Sequence, residues 1–108
     1  MLGILGNDTA EKVLLFIQNY GSGYSREIAR TFGIPQSMVY KQLIHLEQEY
    51  VLVNRQFGRT RLFEFNPRYA FRPELSALLQ KAIDLTPESD RKKWFLQRRG
   101  PRRVGKPL

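Results

Sequence analysis

Residues 25–44, SREIARTFGIPQSMVYKQLI, decide the fold of this chain. Gly33 divides the stretch, because glycine most easily takes the left-handed conformation that ends a helix. Pro35 fits the start of the next helix, where its missing N–H costs no hydrogen bond. The stretch therefore predicts two helices, 26–32 and 36–50, across a tight turn. Small or apolar residues are expected to line the crossing and the space beneath it: Ile28, Ala29, Ile34, Val39 and Leu43.

The flanking sequence predicts further helices and one hairpin. A first helix over about 9–20 has apolar residues on two sides, and Asn7 or Asp8 is expected to cap it. VLVNRQF and RTRLFEF, on either side of Gly58, read as a β-hairpin. Pro73 is expected to start a fourth helix, and a weaker helical turn follows Thr86. The predicted order is three helices, a hairpin and a helix, which is the order of a winged helix.

Composition narrows the function classes. The chain has 108 residues, a net charge of +8, no cysteine and one histidine. A thiolate metal site and a cysteine nucleophile are therefore excluded, and the single His45 cannot form a histidine cluster. No cofactor or metal is expected. The chain also lacks a glycine-rich phosphate loop and a grouping of histidine, carboxylate and nucleophile, so we expect no enzymatic activity.

The excess positive charge lies at one end of the chain. Residues 1–90 carry ten cationic and ten acidic side chains, whereas residues 91–108 carry eight cationic side chains and no acidic one. This asymmetry indicates an anionic partner for the tail. No apolar run is long enough for a membrane span, and MLGILGND lacks the basic start of a signal peptide, so we expect a cytoplasmic protein without a membrane partner.

Residues 25–44 resemble the helix-turn-helix of bacterial repressors, and residues 5–85 are similar to an ArsR-type winged-helix domain. QSMVYKQLIHLEQEYVLV and GRTRLFEFNP carry most of this resemblance. It implies a mainly α fold with a small β-hairpin wing. It also implies a homodimeric, double-stranded DNA-binding transcriptional regulator, most simply a repressor. We expect a DNA-binding domain over 1–85, and a basic extension over 86–108 that is partly helical and then disordered.

The same resemblance supplies the candidate site. Helix 36–50 is expected to lie in the major groove, and wing 51–65 and the tail to contact the backbone or minor groove. Ser25 is expected either to contact a phosphate or to cap its helix. The expected DNA-binding residues are Ser25, Arg26, Gln36, Ser37, Tyr40, Lys41, Ile44, Arg55, Arg59, Arg61, Arg98, Arg99, Arg102 and Arg103.

Two alternatives remain open at this stage. LGNDTAEKVLLFI and FNPRYAF resemble winged helices coupled to nucleotidyltransferase-type partners, which implies an interaction adaptor for such an enzyme. The basic tail also fits an RNA-binding accessory protein, although a helix in a groove suits B-form DNA better than A-form RNA. For the dimer, surplus apolar surface is expected on the first and fourth helices, with Leu15 and Leu79 in the shared contact.

Overall fold

The computed structural model describes residue 3 and residues 6–97, and it has a mainly helical fold with one antiparallel hairpin. The fold class is therefore confirmed, and the element order is compatible with a winged helix. The elements in chain order are α1 Asp8–Tyr20, α2 Ser25–Phe32, α3 Gln36–Gln48, β1 Leu52–Phe57, β2 Thr60–Phe65, α4 Arg72–Asp84 and α5 Glu88–Trp94.

Helix α1 begins with a side-chain cap. Asn7 is the cap residue, and its Oδ1 accepts a hydrogen bond of 2.9 Å from the backbone N–H of Ala10. Asp8 lies in the first turn, with its Oδ2 2.8 Å from Nζ of Lys12. The hydrogen bond from Lys12 holds the pKa of Asp8 below its usual value. Gly21 ends the helix in the left-handed conformation, at φ 89°.

Helix α1 forms the centre of the core and is covered by its own chain. Val13, Ile17 and the aromatic ring of Phe16 are buried, and so is Leu15 on another side of the helix. Leu79 of α4 is fully buried as well. The expectation that Leu15 and Leu79 lie in a dimer contact is therefore wrong. Helices α2, α3 and α4 and the hairpin all contribute to this core and cover the apolar surface that looked like a surplus in the sequence.

Helices α2 and α3 meet at a tight turn, as predicted. Gly33 takes the left-handed conformation, at φ 67°, and the N–H of Ile34 donates to the carbonyl of Ala29 over 3.1 Å. Ile28, Ala29, Val39 and Leu43 are buried, whereas Ile34 is half-buried against the core. The cap residue of α2 is Tyr24, so the cap role expected for Ser25 is wrong: Ser25 is the first residue of the helix.

Helix α3 is shorter than predicted and ends at Gln48. Tyr50 then adopts φ 65°, a left-handed conformation that usually favours glycine. Its carbonyl accepts a hydrogen bond of 3.0 Å from Nδ2 of Asn66, which lies beyond the hairpin. A tyrosine therefore takes a backbone conformation that glycine adopts more easily.

The hairpin has two chemically different faces. Leu52 pairs with Phe65, and Phe57 pairs with Thr60. Because side chains alternate along a strand, Leu52 and Phe63 share the inner face, which packs on the helices. Arg55 and Phe57 lie on the outer face. A two-hydrogen-bond bridge between Gly23 and Phe63 attaches the hairpin to the segment before α2.

Helix α4 has Pro73 within its first turn and begins at Arg72, one residue earlier than predicted. Helix α5 packs against the rest of the chain: Phe95, just after it, is buried in the core, and the ring of Trp94 lies 5.4 Å from that of Phe32. Residues beyond position 85 therefore pack against the helices that precede it. Within the described residues, none of the helices has both the length and the apolarity needed to cross a lipid bilayer.

Candidate nucleic-acid interface

A cleft of about 800 Å³ lies between the start of α2, the start of α3 and the hairpin. It exists because the Gly23–Phe63 bridge holds β2 beside the first turn of α2. Four arginines and one glutamate line the cleft, so the lining has a net positive charge. The lining residues are Tyr24, Ser25, Arg26, Glu27, Arg30, Gln36, Tyr40, Gln56, Arg59, Thr60, Arg61 and Phe63.

A hydrogen bond joins the first turns of the two helices. Nε2 of Gln36 donates to Oγ of Ser25 over 2.9 Å, and both side chains line the cleft. This contact uses one of the two N–H groups of the Gln36 amide and leaves its carbonyl oxygen for another partner. Ser25 therefore positions Gln36, a role that the sequence alone did not predict because the two residues are eleven positions apart.

A second contact joins α3 to the hairpin. Nη1 of Arg61 donates to the hydroxyl oxygen of Tyr40 over 3.2 Å. The ring of Tyr40 also meets the buried ring of Phe63 edge to face, with centroids 6.5 Å apart. The hairpin and the exposed face of α3 are thereby held in a defined relative position.

The arginines of the hairpin divide into two environments. Arg59 and Arg61 line the cleft, whereas Arg55 lies on the outer face and its Nη2 is 3.3 Å from Oε1 of Glu64. Within residues 6–97, Arg26, Arg30, Arg59 and Arg61 form no salt bridge with a carboxylate. Anions are therefore attracted to the cleft without first displacing an acidic side chain from these cations.

Most of the predicted α3 residues are exposed on one face. Gln36, Ser37, Tyr40 and Lys41 are exposed, but Ile44 is half-buried and packs against the core. The expectation that Ile44 points outward is therefore wrong, because the α3 stripe of Val39, Leu43 and Leu46 is wide enough to include its neighbour. The predicted tail residues Arg98, Arg99, Arg102 and Arg103 lie outside the described residues.

Several surface residues were missed in the sequence. Met38 is 47% exposed on the first turns of α3, and its position off the Val39, Leu43 and Leu46 stripe was a usable signal. Tyr24 and Gln56 line the cleft only because the hairpin folds back beside α2, which no local pattern encodes. Among the described residues, no group of three or more histidine or acidic side chains is placed to hold a metal ion.

The cleft thus combines exposed cationic groups, amide and hydroxyl groups, and aromatic walls beside an exposed helix face. These groups can donate to phosphate oxygens and to the edges of bases. No model of a known protein family matches the chain. No curated protein is significantly similar to it in sequence.

Proposed function

We propose that this protein is a regulator of transcription that binds double-stranded DNA. The observation that carries the proposal is the cleft, in which four arginines lie beside the exposed first turns of α3 and form no salt bridge with any carboxylate of residues 6–97. An α-helix fits the major groove of B-form DNA, and cations at its flank neutralise phosphates of the adjacent backbone. The cationic side chains of the cleft are therefore placed to contact the phosphates of a strand that lies beside α3.

Base reading is assigned to the exposed residues at the start of α3. The Gln36 carbonyl oxygen accepts from an amino group of adenine or cytosine, and the remaining N–H donates to an acceptor on the same edge. Lys41 donates to guanine or to phosphate. Arg59 and Arg61 contact phosphates or the adjacent minor groove, where they add affinity with little dependence on sequence.

A two-fold dimer is part of the proposal, with palindromic half-sites roughly 34 Å apart. Apolar side chains that are exposed outside the cleft support such a contact: Phe71, Leu85 and Leu96 are each more than 60% exposed. They replace Leu15 and Leu79 as the residues to substitute in a test of the dimer. The basic tail adds affinity through phosphates, and repression follows where the bound site overlaps a promoter.

The test compares two cleft variants on a duplex selected from a random pool and on a duplex of unrelated sequence. Gln36→Ala should lose about 1–3 kcal/mol of binding free energy on the selected site and relax one base position. Arg59→Ala should weaken both duplexes alike and reduce the salt slope of log affinity by about 1. Quantitative gel-shift or fluorescence-anisotropy titrations at several salt concentrations measure both effects.

Matched controls lie outside the cleft. Gln80→Ala and Arg68→Ala remove the same side-chain types from exposed positions on and before α4, and both should leave DNA affinity unchanged. Failure of the wild-type chain to bind duplex at low salt would refute the proposal. Tighter binding to structured RNA, or stable capture of an enzyme without duplex binding, would favour the corresponding alternative function.

A further inference from the structure

Phe57 is an exposed aromatic side chain at the end of the hairpin. It is the last residue of β1, pairs with Thr60 across a two-residue turn, and is 49% exposed. It lies on the outer face of the hairpin and is not part of the cleft. The contacts proposed for the cleft therefore give this ring no role.

The turn that carries Phe57 is closed by side-chain hydrogen bonds. Gly58 has φ 61°, as the first central position of a type II′ hairpin turn requires. Oγ1 of Thr60 donates to the carbonyl of Phe57 over 2.8 Å, and Nε2 of Gln56 donates to the carbonyl of Gly58 over 3.2 Å. The ring is thus presented on an ordered support, which lowers the entropy lost when it binds a partner.

One arginine lies close to the exposed ring, and a second follows it in the turn. The guanidinium carbon of Arg55 lies 5.8 Å from the Phe57 ring centroid, on the same face of the hairpin. Arg59 follows in the turn and, within the described part of the chain, has no salt bridge. Arg55 also lies 3.3 Å from Oε1 of Glu64 through its Nη2, so Arg59 is the arginine of the tip that has no carboxylate partner among the described residues. A partner that presents phosphates beside a surface that accepts an aromatic ring matches this tip. The minor groove of a duplex fits that description, because phosphates flank base pairs that can be separated.

We propose that Phe57 inserts between two base pairs from the minor groove and kinks the bound DNA. This inference rests on the proposed DNA-binding function and adds a deformation of the duplex to it. Arg55 and Arg59 contact the phosphates on the two sides of the inserted ring. The preferred step is a pyrimidine–purine step such as TA, because such steps unstack most easily.

The experiment uses the full chain and a selected duplex in two labelled forms. Donor and acceptor dyes at the two ends report bending, and 2-aminopurine placed at each position in turn reports unstacking. Wild-type protein should shorten the end-to-end distance and raise 2-aminopurine fluorescence at one step. Phe57→Ala should abolish both signals and weaken binding about tenfold, because stacking of the aromatic ring on a base stabilises the bound state.

Two variants separate insertion from other effects. Phe57→Leu keeps an apolar wedge and should retain most of the bending. Tyr50→Asn removes an exposed aromatic ring before β1, at a left-handed backbone position that asparagine tolerates, and should change neither signal. One contrary result is that wild-type protein binds tightly to a duplex that stays straight and gives no 2-aminopurine response at any position. That result would refute the insertion of Phe57 and leave the proposed function standing. Absence of duplex binding would overturn both.

Discussion

Helices α1 and α3 are each thirteen residues long, yet they are buried to very different extents. Seven residues of α1 are buried, including the carboxylate residue Glu11, whereas only Val39, Leu43 and Leu46 of α3 are buried. Because α1 is covered on several sides, its side chains are constrained by packing. Helix α3 needs only one stripe for packing, and the rest of its surface is available to a partner.

The first turns of the two helices differ in charge as well. Helix α1 has Asp8 and Glu11 in its first turn, whereas the first turn of α3 has no acidic residue. Acidic side chains stabilise a helix N-terminus, and phosphate groups are favoured at the same position. The start of α3 thus forgoes a stabilising charge and remains compatible with an anionic partner.

The largest expected difference between α1 and α3 is in the free energy of unfolding that is lost when a large side chain is replaced by alanine. Phe16→Ala in α1 should lower the free energy of unfolding by about 3–5 kcal/mol, because the buried ring leaves a cavity. Met38→Ala in α3 should change it by less than about 0.5 kcal/mol, since that side chain is half-exposed. Urea denaturation measures both. Similar losses for the two variants would show that α3 is as tightly packed as α1.

A smaller loss of stability is expected from a substitution at Gly23, which lies before α2 and packs against Phe16 of α1. A Cβ at Gly23 would lie 2.8 Å from Cε1 of Phe16 and 3.1 Å from Cδ1 of Ile28. Gly23→Ala should therefore destabilise the protein by about 1–3 kcal/mol through overpacking. In the Phe16→Leu background the penalty should fall, because the smaller side chain removes the clash. Thermal unfolding of the four proteins measures the coupling, and strict additivity would contradict this account.

An acidic residue at the start of α3 should have opposite effects on stability and binding. Ser37→Glu should raise the free energy of unfolding by about 0.3–1 kcal/mol through the helix dipole, and weaken DNA binding by repelling phosphate. Gln48→Glu introduces the same charge at the last turn, where the dipole effect is reversed and stability should fall. Paired denaturation and binding titrations test the prediction. Unchanged affinity in Ser37→Glu would contradict the proposed contact between the start of α3 and DNA.

The smallest effect concerns the ion pair at the start of α1. The pKa of Asp8 is lowered by the Lys12 hydrogen bond, so its contribution to stability is present above the unfolded pKa near 3.9 and is lost as the pH falls through the folded pKa. At pH 7, Asp8→Asn should cost about 0.2–0.5 kcal/mol, as expected for an exposed pair four residues apart. In acid, below the folded pKa, the two proteins should have nearly equal stability. A constant difference across this range would assign the effect to something other than charge.

Local patterns were sufficient to predict the elements of this fold. Gly33 and Pro35 marked the turn between α2 and α3, apolar spacing marked the buried stripe of α3, and Gly58 marked the hairpin turn. Errors arose where packing overrides spacing. Ile44 was predicted to point outward from α3 but packs against the core. Leu15 was predicted to belong to surplus apolar surface but is covered by other elements of the chain.

The amino-acid sequence by itself determined the type and order of the elements, because glycine, proline and apolar periodicity act over a few residues. It also placed the excess charge in residues 91–108. Only the tertiary structure decided which arginines share a cleft: the Gly23–Phe63 bridge brings Arg59 and Arg61 beside α2, whereas strand alternation sends Arg55 to the opposite face. Such groupings join residues that are tens of positions apart, so they follow from packing and not from local sequence.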